Sequence, residues 1–234
     1  MTKTFVLMHG AWHGGWCWAQ VADALRARGH RVTTPTQTGL GERQHLLSDQ
    51  ITLQTFIDDL VNHILAEDLT DAIVVGHSFG GNALSGSAEA IPERLKELVY
   101  LDCTVLAAGE RPVDLIQIDD IEGRIQRAKE DGDGIGMPPP GVETFGVMDA
   151  VQAAWLQPRL TPHPISTMLS PLPITGIPGN GLPARYIACT EPVYHNPDRV
   201  WDWADRSGWA VEELRTGHDA MVTDPPALVE MLDR

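Results

Sequence analysis

The sequence predicts an α/β fold, a mostly parallel sheet of about six strands flanked by helices, on three observations. Short apolar runs ending in Gly, Pro, Asp or Thr alternate with longer amphipathic stretches, which is how parallel strands joined by crossover helices read in sequence. One of these runs leads into a glycine-rich turn that carries a serine, Gly76-His77-Ser78-Phe79-Gly80. The 234 residues are 43% apolar and 21% charged, an ordinary globular balance.

Taken in order, the expected strands are Thr4 to Met8, Arg31 to Thr34 (halted by Pro35), Ala72 to Val75 (before Gly76), Glu97 to Leu101 (before Asp102), Arg185 to Cys189 (before Thr190) and Ala210 to Glu213. The helices between them are expected at Cys17 to Arg28, Leu53 to Glu67, Ser78 to Ile91, Asn196 to Ser207 and Pro226 to Leu232. Between the fourth and fifth strands the rhythm is lost. A helical portion near Val113 to Lys129 is followed by MPPPG, QPRLTPHP and SPLPITGIPG, and proline at that density cannot occupy a central sheet. Residues 1–104 and 183–234 therefore read as the core, and residues 105–182 as a lid or cap insertion. The insertion's Met137, Phe145, Met148, Trp155, Leu156, Met168 and Leu169 either line an apolar pocket or anchor the insertion to the core. It offers few cations, the main one being Arg159. No tandem repeat is apparent.

A formal net charge of −15 repels phosphate backbones and anionic membrane surfaces, which argues against a nucleic-acid role. Cys17, Cys103 and Cys189 are widely separated and odd in number, as expected of reduced thiols in a cytoplasm rather than of a disulfide framework or a zinc site. The apolar run Phe5 to Met8 is far too short for a signal peptide, and no stretch approaches the length of a membrane span. The expectation is a soluble, cytoplasmic protein; a homodimer is left open.

The sharpest chemical signal is G-x-S-x-G at Gly76 to Gly80, directly after an apolar strand and before a helix-compatible stretch. A serine on a tight strand-to-helix turn needs small neighbours, and the unpaired N–H groups opening the helix can stabilise an oxyanion. A serine hydroxyl also needs a base that is itself oriented by an acid. Of nine histidines, His218 stands out, on the loop RTGHDAM after the last strand. That is the sheet edge where the serine turn also opens. The turn after the first strand, MHGAWHGGW, supplies further exposed N–H groups, so Ala11 and Phe79 are the candidate oxyanion donors through their backbones. His9 and His13 are four apart but lack a third ligand, and Gly132 to Gly136 lacks a full calcium set. No phosphate-binding loop or dinucleotide fingerprint occurs, and no cofactor is expected.

The segments FVLMHGAWHGGWCW, VVGHSFGG, LVYLD, YIACT and TGHDAMVTDP resemble the α/β-hydrolase family that contains plant methyl esterases, salicylate-binding esterases and hydroxynitrile lyases, with its bacterial esterase members. The likeness spans nearly the whole chain and is weakest across the insertion. It implies an α/β-hydrolase fold, a helical lid, no cofactor, and hydrolysis of a small-molecule ester through an acyl-enzyme. The chain departs from that family at the acid. Relatives carry an Asp two residues after the Thr resembling Thr190, whereas here Glu191 follows directly and Pro192 takes the expected place. Asp102, closing LVYLD, is the favoured alternative. A hydroxynitrile-lyase-type reaction is disfavoured by Gly10 and Asp219, which stand where lyases carry Thr and Lys. A ligand-binding receptor on a hydrolase fold is the third reading.

Overall fold

The computed structural model describes residues 2–115, 118–131, 133–194 and 198–234. The acidic turn at Gly132 and the expected helix start at Asn196 lie outside the described residues. In chain order the elements are β1 (Thr4–Met8), α1 (Ala19–Ala27), β2 (Arg31–Thr33), α2 (Leu53–Ala66), β3 (Ala72–His77), α3 (Gly80–Ala90), β4 (Leu95–Leu101), α4 (Ile118–Asp131), β5 (Gly136–Met137), α5 (Ala150–Leu156), β6 (His163–Pro164), α6 (Ile165–Leu169), β7 (Ala184–Cys189), α7 (Asp198–Ser207), β8 (Ala210–Leu214), α8 (Ala220–Thr223) and α9 (Pro225–Leu232).

Six strands form one sheet in the order β2-β1-β3-β4-β7-β8, every neighbouring pair parallel. Successive strand residues enter opposite cores, because side chains alternate across a pleated sheet. Phe5, Leu7, Val75, Val99 and Ile187 join one cluster with Trp18 and Leu25, while Val6, Met8, Val74, Leu98 and Tyr186 join another with Phe56 and Leu60. A sheet covered on both faces has apolar strands throughout, which is why β3 is buried along its whole length. In α2 the buried Leu53, Phe56, Ile57, Leu60 and Ile64 fall on one helical stripe. Its start is held by Thr52 and Thr55, each side chain accepting from the other's backbone N–H.

The insertion is more structured than its prolines suggest. It contains α4, α5, α6 and a two-stranded antiparallel pair, β5 with β6. Strands two residues long carry no periodicity, so the sequence could not announce them. Met137, Phe145, Leu156 and Met168 merge into the core cluster on one sheet face, whereas Met148 (77% exposed) and Leu169 (44%) face solvent. Among the described residues no helix is long and apolar enough to cross a membrane.

The small residues of α3 let α2 pack close. A Cβ at Gly86 would overlap Ile57 Cγ1 and Cδ1. Gly86→Ala is therefore expected to destabilise the fold by roughly 1–3 kcal/mol in urea denaturation. In an Ile57→Ala background the same change should cost much less. Equal costs in the two backgrounds would show that this contact does not set the spacing of α2 and α3.

Candidate active site

Three strand ends on the carboxyl edge of the sheet carry the site, β3, β4 and β8. Ser78 follows β3 with φ +51°, a left-handed conformation forced by the sharp turn into α3. Its N–H donates to the Leu101 carbonyl at 2.9 Å, which extends the ladder to β4 by one residue. The turn tolerates no side chain at Gly80, where a Cβ would stand 2.6 Å from the His9 carbonyl oxygen.

Asp102 follows β4 in the same way, with φ +47° and its N–H donating to Ile187 O at 2.8 Å. Its carboxylate is buried and bound on both oxygens. The Cys189 N–H donates to Oδ1 at 3.1 Å, and His218 Nδ1 lies 2.6 Å from Oδ2. A carboxylate can only accept there, so His218 carries a proton on Nδ1. Glu191 is elsewhere. Its side chain is 60% exposed and pairs with Arg215 at 3.4 Å.

The structure thus brings His218 to Asp102 and leaves Glu191 at the surface. Ser78, Ala11 and Phe79 line one cavity together with Trp12, Asn82, Leu106, Met168 and Tyr194. Its empty space, counted out into the open mouth, is about 500 Å³. The backbone N–H groups of Ala11 and Phe79 donate to no acceptor among the described residues. Of the seven insertion residues expected at a pocket or in the core, only Met168 reaches this cavity. Met137, Phe145 and Leu156 are core, Trp155 packs on Trp16, and Met148 and Leu169 are exposed. Arg159 also lies away from it, over the Trp155 ring.

Three features escaped the sequence reading. The Tyr194 ring stacks on His218 with centroids 4.0 Å apart and planes 22° from parallel. Asn82, in the first turn of α3, places a buried carboxamide on the cavity wall. A second buried acid–imidazole pair lies behind the site. His13 Nε2 is 3.1 Å from Asp219 Oδ2, while His13 Nδ1 donates to Ala11 O at 2.7 Å. His77 Nε2 donates to the His218 carbonyl at 3.0 Å and lies 3.9 Å from Asp219 Oδ1. No local pattern could reveal a pair so far apart in the chain.

His77, His218 and Asp219 bring ligand-capable atoms within 4.8 Å of one another. As a metal set they are poorly suited, because His77 Nε2 is committed to a carbonyl and His218 Nδ1 to Asp102. His9 and His13 are likewise committed to separate hydrogen bonds, His9 Nδ1 to Gly10 O and Nε2 accepting the Gln37 N–H.

A family model described as the alpha/beta hydrolase family matches residues 5–231. The carbendazim hydrolyzing esterase of Nocardioides sp. (strain SG-4G) is 38% identical over 97% of this chain and 97% of its own. Putative methylesterase 14, chloroplastic, of Arabidopsis thaliana is 30% identical over 60% of this chain and 42% of its own. Among solved structures, an extracellular alpha/beta-hydrolase from a Paenibacillus species has a TM-score of 0.86 at 24% identity, covering 98% of this chain and 97% of that one.

The buried histidines make stability depend on pH. Burial holds His9 down at about 3, and burial with the neighbouring His9 holds His163 down at about 3. The unfolded chain binds these protons below about 6.5 while the native protein refuses them, so stability falls as pH drops from about 6.5 towards 3. Each group contributes a slope on the order of 1.4 kcal/mol per pH unit. His13 acts in the opposite direction. Burial opposes its charging, yet the Asp219 carboxylate outweighs that and raises its pKa. Its contribution is complete below about 6.5 and is lost as pH rises through the native value. Urea unfolding across pH 4–9 should therefore show a maximum near neutrality. His163→Gln should flatten the acid limb by about one proton, and an unchanged limb would contradict the buried, neutral His163.

Proposed function

Because the chain belongs to the alpha/beta hydrolase family and is a carboxylic-ester hydrolase, we propose that it works through an acyl-enzyme on Ser78, with His218 as base and Asp102 as the orienting acid. The observation that carries this reading is the buried 2.6 Å contact between His218 Nδ1 and Asp102. It commits Nδ1, so proton transfer falls to Nε2. Ser78 Oγ attacks the ester carbonyl as its proton passes to Nε2. The oxyanion is received by the backbone N–H groups of Ala11 and Phe79. The proton then goes to the departing alcohol. Water, deprotonated by the same nitrogen, releases the acid and frees Ser78.

Asp102 stabilises the imidazolium that forms at each stage, and it is short, buried and held by two hydrogen bonds. Asp219 pairs with His13 where a lyase of this family carries Lys, which supports hydrolysis rather than C–C cleavage. Residues 105–182 serve as the lid, contributing Leu106, Pro112 and Met168 to the wall. With Trp12 and Tyr194 these favour an apolar, aromatic small-molecule ester. Carbendazim, for which the Nocardioides relative is named, belongs in the substrate panel. Three buried free thiols suit a cytoplasmic setting.

Ser78→Ala should keep the fold and lower kcat by roughly 10⁴–10⁶, and a fluorophosphonate should label Ser78 in the parent. Asp102→Asn should lower kcat by at least about 10² with little change in Tm, whereas Glu191→Gln should cost less than about tenfold. The reverse ranking would move the acid to Glu191.

Aryl esters should exceed short charged esters by about tenfold or more in kcat/KM, equivalent to roughly 1.4 kcal/mol. A preference for charged esters would overturn the apolar reading of the cavity.

A further inference from the structure

His13 and Asp219 are buried behind the site and take no part in the proton transfers above. Both printed partners of the His13 ring are acceptors. Nδ1 stands 2.7 Å from the Ala11 carbonyl oxygen and Nε2 3.1 Å from Asp219 Oδ2. An imidazole makes both bonds only with a proton on each nitrogen, so beside an ionised Asp219 the ring is an imidazolium. A buried ion pair is weak evidence of stabilisation, since an apolar pair of similar volume often serves as well or better. Its position gives it another use. The ring holds the loop at Ala11, whose N–H is an oxyanion donor, and Asp219 directly follows His218.

We propose that His13 is a positioning residue for ester hydrolysis: its imidazolium clamps the oxyanion loop at Ala11 to the loop that carries His218, and the clamp holds while the ring keeps both protons. The proposal rests on acylation of Ser78 with Ala11 as an oxyanion donor. Loss of either proton, to solvent at high pH, breaks one of the two bonds and leaves a buried acceptor facing a nitrogen lone pair. Burial opposes the charge, but the attraction of the Asp219 carboxylate and the bonds to Asp219 and Ala11 O outweigh it and raise the His13 pKa. The other titratable groups facing the pair come from four places. His9, on the same loop, is held down at about 3 by burial and by the His13 charge. His77, at the end of β3, lies edge-on to His13 and 3.9 Å from Asp219 Oδ1, with Nε2 donating to the His218 carbonyl. Cys17, after the oxyanion loop, and Cys189, ending β7, have thiols pushed up first by burial and then by nearby carboxylates, Asp219 among them. Trp16 and Phe145, the remaining rings against His13, carry no charge.

The test follows kcat and KM for phenyl acetate across pH 6–10 in the parent, Asp219→Asn and His13→Gln. In the parent, kcat should fall on the alkaline side with a one-proton slope while KM changes less than about threefold, because the oxyanion forms only in the transition state. Asp219→Asn removes the charge that retains the second proton, so the alkaline limb should move to lower pH by about one unit or more. In His13→Gln the limb should vanish, with kcat at neutral pH lower by about tenfold or more. A purely structural role would change Tm and leave the limb in place. A parent kcat that stays flat to pH 10, a limb that Asp219→Asn does not move, or one that persists in His13→Gln overturns the proposal; a persistent limb belongs to another group, such as Tyr194. Should the variants not fold, the ¹⁵N-histidine NMR spectrum of the parent decides. One ring must keep both nitrogens protonated above pH 7 and lose a proton at the midpoint of the limb, and the absence of such a ring overturns the proposal. Failure of a fluorophosphonate to label Ser78 would instead overturn the underlying serine mechanism.

Discussion

The contact between His218 and Asp102 reaches across the sheet, from the loop after β8 to the end of β4, with β7 lying between them. It exists because parallel strands present their carboxyl ends at one edge and because the order β3-β4-β7-β8 puts the ends of β4 and β8 on either side of β7. β7 is not a bystander, for its last residue, Cys189, donates to the other oxygen of Asp102. The carboxylate that reaches the imidazole from the end of β4, Asp102, is short and buried. The exposed Glu191 then remains as a surface partner of Arg215.

Behind that contact lies a second constraint. His13 is on the loop after β1 that also bears Ala11, and Asp219 is on the loop that bears His218, so their bond ties the two loops together inside the protein. The Asp219 N–H donates to Phe145 O, which adds the insertion to the same assembly. Removing one member of a buried acid–imidazole pair leaves an uncompensated polar group, on the order of 3–5 kcal/mol for fully charged pairs. The surroundings of His218 are thus held from three directions.

What was legible in the sequence followed from local rules. The strands of a sheet buried on both faces are apolar runs, and each of the six lies within two residues of its expected bounds. The serine turn needs glycines at fixed spacing, so it declared itself as a motif. The carboxylate that contacts His218 did not, because Asp102 and Glu191 both follow strands on the same edge, and only the sheet order and burial separate them. His13 with Asp219, Tyr194 over His218, and Asn82 on the wall are tertiary pairings with no short-range signature. In the insertion, proline density marked a departure from the sheet. It concealed how far Phe145 and Leu156 belong to the main core, because apolar residues in an irregular segment look alike whether they face a cavity, a core or water.

The most strained backbone at the site is also the most firmly tethered. Trp12, Ser78 and Asp102 are non-glycine residues at φ +64°, +51° and +47°, conformations that cost on the order of 1–3 kcal/mol each. Such costs persist only where the surroundings over-determine them. The ladder supplies that restraint. Ser78 and Asp102 each donate to a neighbouring strand one residue beyond their own strand's end, at 2.9 and 2.8 Å. The Trp12 carbonyl in turn accepts the Thr161 N–H from the insertion at 2.9 Å. The parallel sheet therefore does more than bring the chain ends together. Its hydrogen bonds continue up to Ser78 and Asp102, so these side chains are carried on restrained backbone. The cavity walls come in part from the insertion and the first turn of α3, and both are tied to the same frame, the insertion through Thr161 N–H to Trp12 O and Phe145 O to the Asp219 N–H.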